Sequence, residues 1–196
     1  MKSSIYISAI SVLLSVLINV GIPRANAQEG KTGGDPMTES LQKLTDKEFE
    51  AGFLNQMIQH HRGAIEMAKM VSSHTKRPEL NEFADKIISA QTKEISELTG
   101  WLKEWQVAEP KMMPNKMADK KMKAEMPKLE AAKDAEFDKM FLEMMIEHHA
   151  GAVRMSSLVK EKSTRPELLK FAANVMKDQT AEIQQMKDWQ KSWFGK

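Results

Sequence analysis

The chain has 196 residues, of which 41% are hydrophobic and 29% charged, and it carries 16 methionines but no cysteine. Aromatics at 6%, with sparse glycine and proline, favour one all-helical domain over a sheet protein. The formal net charge is +2, and Lys2 and Arg24 supply it, so the charges balance from Gln28 onward, which argues against a nucleic-acid binder.

Residues 1–27 read as a secretory signal peptide. Lys2 is a charged start, Ile5 to Ile22 is mostly apolar, and Ala25-Asn26-Ala27 is an A-x-A cleavage site ahead of Gln28. The competing reading is an uncleaved anchor, which Pro23 and the small residues around it disfavour. Export without cysteine leaves no disulfides, so stability rests on packing. Methionine then supplies soft sulfur that cannot form disulfides, although it can be oxidised to the sulfoxide.

Residues 28–45 hold Gly30, Gly33, Gly34 and Pro36 and read as a flexible leader. A first helical hairpin follows over 46–105. Thr45 with Glu48 is a capping-box signature. Phe49, Phe53, Met57, His60, Ala64, Met67 and Val71 recur at steps of three or four, the stripe of one helix face. Ser72 to Thr75 breaks that helix. Pro78 starts a second, with Glu79 in its first turn, and Leu80, Ala84, Ile87, Gln91, Ile95, Leu98, Leu102 and Trp105 continue the pattern.

Residues 106–133 form a linker. Pro110, Pro114 and Pro127 argue against one continuous helix there. Lys111, Lys116, Lys120, Lys121, Lys123 and Lys128 make it basic, and Met112, Met113, Met117, Met122 and Met126 make it rich in thioethers, some of which should stay exposed. A second hairpin over 134–196 repeats the first, 88 residues later and without a gap. Asp46 maps to Asp134, Phe53 to Phe141, Arg77-Pro78-Glu79-Leu80 to Arg165-Pro166-Glu167-Leu168, and Trp101 and Trp105 to Trp189 and Trp193. Helices of about 26 residues would be about 39 Å long. Two such antiparallel hairpins pack as a four-helix bundle about a pseudo-twofold axis, which brings the first helices of both copies together.

The chemistry concentrates in those first helices. Met57-Ile58-Gln59-His60-His61-Arg62-Gly63-Ala64-Ile65-Glu66-Met67 returns as Met145-Ile146-Glu147-His148-His149-Ala150-Gly151-Ala152-Val153-Arg154-Met155. Four of the five histidines lie here. Met57 precedes His60 by three and His61 by four, so it shares a face with either, and Met145 stands likewise to His148 and His149. Met70, Met140 and Met144 add thioethers nearby. Imidazole and thioether together suit copper(I) and silver(I), and the imidazoles alone suit copper(II). A pair such as Met57 with His61, or Met145 with His149, forms a two-ligand arm, and two arms across the bundle would complete a site. The linker methionines are expected to be weaker sites for the same ions.

Other chemistry fits less well. A di-iron bundle needs Glu-x-x-His, and no histidine here has a carboxylate three residues before it. Thioether is a poor zinc ligand. A non-covalent haem held by Met and His is the sharper rival. The bland alternative is a structural helical module whose histidines are hydrogen-bonded in the core, by Gln91 and Gln179. His74 lies in a turn and reads as surface, the tryptophan pairs as seals at the helix ends, Arg77 and Arg165 as structural, and Glu94 and Glu182 as partners of surface lysines. No catalytic triad, phosphate loop or pair of catalytic carboxylates can be assembled, so no enzyme is expected.

The motif Phe-Leu-x-x-Met-Ile-x-His-His-x-Gly-Ala-x-x-Met, at 53–67 and 141–155, resembles a bacterial family of exported ferritin-like bundles known as a domain of unknown function, with CopM-type copper-binding proteins among its members. Gln91-x-x-Glu94-Ile95-x-x-Leu98-x-x-Trp101, its copy from Gln179 to Trp189, and the Met-rich linker are similar to it as well. Gln59 and Glu147 depart from the proline expected in many relatives, without removing a ligand. The resemblance implies a periplasmic protein that binds copper(I) and silver(I) and contributes to copper resistance. Its partners would be metal ions and a copper efflux or sensor protein, with no nucleic acid and no membrane insertion once the signal is cleaved.

Overall fold

The computed structural model describes residues 36–106 and 116–195. Seven helices run in order: α1 Pro36–Gln42, α2 Asp46–His74, α3 Pro78–Glu104, α4 Lys116–Ala131, α5 Asp134–Ser157, α6 Val159–Lys162 and α7 Pro166–Phe194. The described residues form no strand. The signal-peptide reading of 1–27, and Met112 and Met113, lie outside the described residues.

The stripes of apolar residues produce the expected hairpins. α2 packs along α3, α5 along α7, and α2 meets α5 where the hairpins join. Pro78 and Pro166 open α3 and α7 at the first turn, where a missing N–H is harmless. α6 continues the line of α5 after a break at Leu158, so α5 and α6 together match α2.

Two apolar clusters fill the bundle, one towards each end. Phe49, Phe53 and Met57 of α2 join Leu98 of α3, Met155 of α5 and Leu168, Phe171 and Val175 of α7 in one cluster. Met67 and Val71 of α2 join Leu80, Phe83 and Ile87 of α3, Phe137, Phe141 and Met145 of α5 and Met186 of α7 in the other. α2 enters the first cluster and leaves through the second, and α5 does the reverse, so the two helices are antiparallel. Between the clusters the sequence places His60, His61, Gln91 and Glu94 in one hairpin and their equivalents His148, His149, Gln179 and Glu182 in the other. The bundle thus has a polar waist between two greasy ends.

Paired clamps tie the hairpins together. The Arg165 Nε donates to Glu50 Oε2 at 2.8 Å and its guanidinium lies 4.1 Å over the Trp105 ring. Arg77 repeats this with Asp138 at 3.0 Å and Trp193 at 4.0 Å. Glu50 and Asp138, like Trp105 and Trp193, are equivalent positions, so the duplication in sequence is a duplication in space. Each guanidinium thus covers one face of its tryptophan ring. Trp101 stacks on Trp105 and Trp189 on Trp193, with centroids 5.3 and 5.1 Å apart.

Three local expectations need correction. Thr45 is the N-cap of α2 but makes no side-chain capping bond. The leader is not structureless throughout, because α1 forms and packs on α2 and α5. The linker contains a helix, and Pro127 sits inside α4. A proline there forfeits one backbone hydrogen bond. Burial compensates, since Leu129 is fully buried and Met122 and Met126 pack against the second cluster.

Candidate metal centre

Consecutive residues on a helix point about 100° apart, so the two histidines of each motif cannot serve one place. His60 and His148 face each other across the α2–α5 contact, with ring centroids 3.6 Å apart and planes at 35°. His61 and His149 turn into their own hairpins and are fully buried. There His61 Nε2 lies 2.8 Å from Glu94 Oε2, and His149 Nε2 lies 2.7 Å from Glu182 Oε2. Neither contact has the alignment of an N–H···O hydrogen bond, and both Nε2 atoms stay unsatisfied by that measure. Glu94 and Glu182 are therefore inward partners of histidine, not surface partners of lysine. Gln91 and Gln179, the holders of the histidines in the purely structural alternative, are buried with their Oε1 atoms unpartnered.

The facing pair is chemically poised. His148 is buried, and neither of its ring nitrogens makes a well-aligned hydrogen bond, with the His60 backbone a polar neighbour of the ring. His60 keeps some surface open, but its Nδ1 is buried and unpartnered. Burial pushes the proton affinity of both rings well below the ordinary value of 6.5, and neighbouring imidazoles add to the effect: first His148 on His60, and first His149 on His148. The His60 backbone opposes the shift at His148. Both rings are therefore neutral at pH 7, which is the form that binds a metal without first losing a proton.

Sulfur reaches this pair from the linker. A Cβ placed on Gly63 would lie 2.9 Å from Met122 Cε, 3.1 Å from Met122 Sδ and 3.3 Å from His148 Nε2. The Met122 thioether and the His148 imidazole thus crowd one spot on α2 that only glycine leaves open. Farther along, His74 Nε2 lies 2.9 Å from the Glu130 carbonyl of α4, and the His74 ring lies 4.9 Å from Phe137 of α5. α4 therefore runs parallel to α2 in the groove between α2 and α5. His74 is a fastening for α4, not a free surface residue.

The methionines fall into two groups. Met57, Met67, Met145 and Met155 are at most 1% exposed and belong to the apolar clusters. With His61 and His149 turned away from one another, the expected arms built from Met57 and Met145 do not meet across the bundle. Met70, Met122, Met126, Met140 and Met144 are half-buried and pack against one and the same cluster, where α4 covers the groove. Met117 lies on α4. The positions equivalent to Met70, Met140 and Met144 in the other repeat are Leu158, Gly52 and Gln56, so these groove-wall thioethers are not duplicated.

Among the described residues no three His, Asp or Glu side chains converge as a site for a harder metal. The donors that do gather are neutral imidazole and thioether. This set suits a soft monovalent ion.

Solved structures of relatives share the fold. CopM in its Cu(I)-bound form is 34% identical, with a TM-score of 0.62 over 74% of this chain and 97% of that one. CopM is also known in Cu(II)-bound and Ag-bound forms at the same identity. At 34% identity the present chain is a relative of CopM and not CopM itself. A protein of the same kind from Streptomyces coelicolor, provisionally described as secreted, is 25% identical with a TM-score of 0.66 over 75% of this chain and 93% of that one. An uncharacterised protein of Acanthamoeba polyphaga mimivirus is 42% identical over 61 residues, and the chain spans 38% of that relative's length. Residues 22–102 and 50–190 match the family described as a domain of unknown function, DUF305, and the chain belongs to that family.

Proposed function

We propose that this protein is an exported copper carrier that sequesters or passes on copper(I), and binds silver(I) in the same way, through imidazole and thioether ligands. The observation that carries this reading is the meeting of two neutral imidazoles, His60 and His148, whose buried ring nitrogens (His60 Nδ1, His148 Nδ1 and Nε2) lack a well-aligned hydrogen-bond partner, with the thioether of Met122. An unsatisfied buried polar atom costs about 1–3 kcal/mol, and here several lie together. A ligand that used these nitrogens would recover that cost on binding. Two imidazoles in face contact, tilted by 35°, present their nitrogens on neighbouring edges, and a turn of one ring lets both address one ion. Copper(II) would rely on the imidazoles. The half-buried methionines of the groove would pass ions to and from this point, and a copper efflux or sensor protein would supply or take them.

The Cu(I)-, Cu(II)- and Ag-bound forms of CopM support the choice of ion. Export is supported by the signal-like first 27 residues. No helix among the described residues is long and apolar enough to cross a membrane. The role is binding and transfer without turnover. A haem held by Met and His finds less support, because Met57, Met67, Met145 and Met155, the thioethers of the histidine motifs, are packed into the apolar clusters. The test is His60→Ala combined with His148→Ala, with copper(I) per chain measured by elemental analysis. The expected result is a lower stoichiometry on a folded bundle. Unchanged copper content in the double variant would overturn the assignment.

A further inference from the structure

We infer that Gly63 is the positioning residue that makes the centre selective for soft ions, by seating the Met122 thioether against the imidazole pair. This rests on the copper reading of His60 and His148 and adds a determinant that touches no ion itself. Gly63 lies in the interior of α2, where glycine is a poorer helix former than alanine. The position is buried, and no turn or positive φ calls for glycine there. What it does allow is approach: Met122 Cε and Sδ occupy the space of the missing side chain, 2.9 and 3.1 Å from where a Cβ would stand.

A single methyl group at 63 would therefore act unevenly. Met122 ends in a flexible chain at the half-buried edge of the bundle, so it can swing outward at little cost to the fold. Helix propensity favours the alanine. The thioether, however, loses the place on α2 from which it stands beside His148 Nε2, itself 3.3 Å from the same point. The His148 ring, 3.3 Å from the methyl, gives by a few tenths of an ångström and stays beside His60, whereas the Met122 Cε at 2.9 Å has to move away. Copper(II), which draws on imidazole nitrogen, should keep its affinity within a few fold, whereas silver(I) and copper(I), which draw on the thioether, should weaken by about 10–100-fold, as expected when a ligand loses its positioning group.

The experiment compares wild type, Gly63→Ala, Met122→Ala and the double variant, using silver(I) and copper(II) as separate probes on the full mature chain. Circular dichroism confirms the fold, competition titration gives affinity, and X-ray absorption on the silver-loaded protein counts sulfur scatterers. Gly63→Ala should fall to the silver affinity of Met122→Ala, lose one sulfur scatterer, and leave the double variant no weaker than either single change. Wild-type silver affinity in Gly63→Ala beside a weakened Met122→Ala would overturn the inference while leaving the centre intact. So would additive losses in the double variant. If Met122→Ala binds silver like wild type, both Met122 as a ligand and Gly63 as its seat are refuted. Silver binding that also ignores His60→Ala with His148→Ala defeats the copper reading itself.

Discussion

Removing the guanidinium of Arg165 should expose how much the fold depends on its inter-hairpin clamps. Arg165 neutralises Glu50, whose side chain is only 9% exposed, and Ser163 Oγ donates to the other carboxylate oxygen at 2.7 Å. Arg165→Ala leaves a buried carboxylate with one hydrogen bond and no counter-charge. Breaking such a pair from one side costs about 3–5 kcal/mol. The Arg165 side chain is 32% exposed, so solvent screening places the effect at or below the low end of that range. Loss of the contact over Trp105 adds about 0.5–1 kcal/mol. A total near 3 kcal/mol lowers the melting midpoint by about 6–12 °C for a chain of this size. Thermal unfolding of the metal-free protein, followed by circular dichroism at neutral pH, measures it. Adding Glu50→Gln should recover part of the loss, because the stranded charge is then gone. A midpoint within about 2 °C of wild type for Arg165→Ala, or no recovery in the double variant, would refute the reasoning.

Acid should destabilise the metal-free bundle through its waist. His60 and His148 hold their protons less tightly folded than unfolded, so the unfolded chain binds more protons once the pH drops below 6.5. Stability contributed by these rings is complete above pH 6.5 and declines as pH falls towards their folded values; denaturant midpoints measured across that range should show the fall, and His148→Ala should flatten it. Replacing Met67 or Met155 by leucine should cost less than about 1.5 kcal/mol and leave silver stoichiometry unchanged, since both are core fillers; a lost silver ion would show that the buried thioethers ligate. Exchanging Met126, Met140 and Met144 together for leucine should lower silver stoichiometry while the melting midpoint holds, and unchanged stoichiometry would remove the groove from the account.

The duplicated hairpin was legible because its signals are local. Apolar steps of three and four set each helix face, Pro78 and Pro166 marked helix starts, and the ungapped repeat fixed which positions correspond. Pairing inside the waist was less legible. Helix geometry separates His60 from His61 by about 100°, but only the rotation of one hairpin against the other decides which imidazole crosses to its partner. The stripe containing Met57, Met67, Met145 and Met155 satisfied a core and a ligand reading equally, and burial separated them. Glu94 and Glu182 follow Gln91 and Gln179 by three, so one signal for their inward turn was present: they share the face of a buried residue. Gly63 and its copy Gly151 offered another, since glycine repeated inside a strong helix implies close approach. The α4 helix lacked a local signature. Pro127 opposes it, and only the groove between α2 and α5 rewards it.

X-ray absorption at the copper edge, on the mature protein loaded with copper(I), addresses the central claim most directly. A centre built from His60, His148 and Met122 should give nitrogen and sulfur neighbours together, with imidazole multiple scattering that disappears in His60→Ala with His148→Ala. A spectrum of sulfur alone, or an imidazole signature that survives the double replacement, would contradict it.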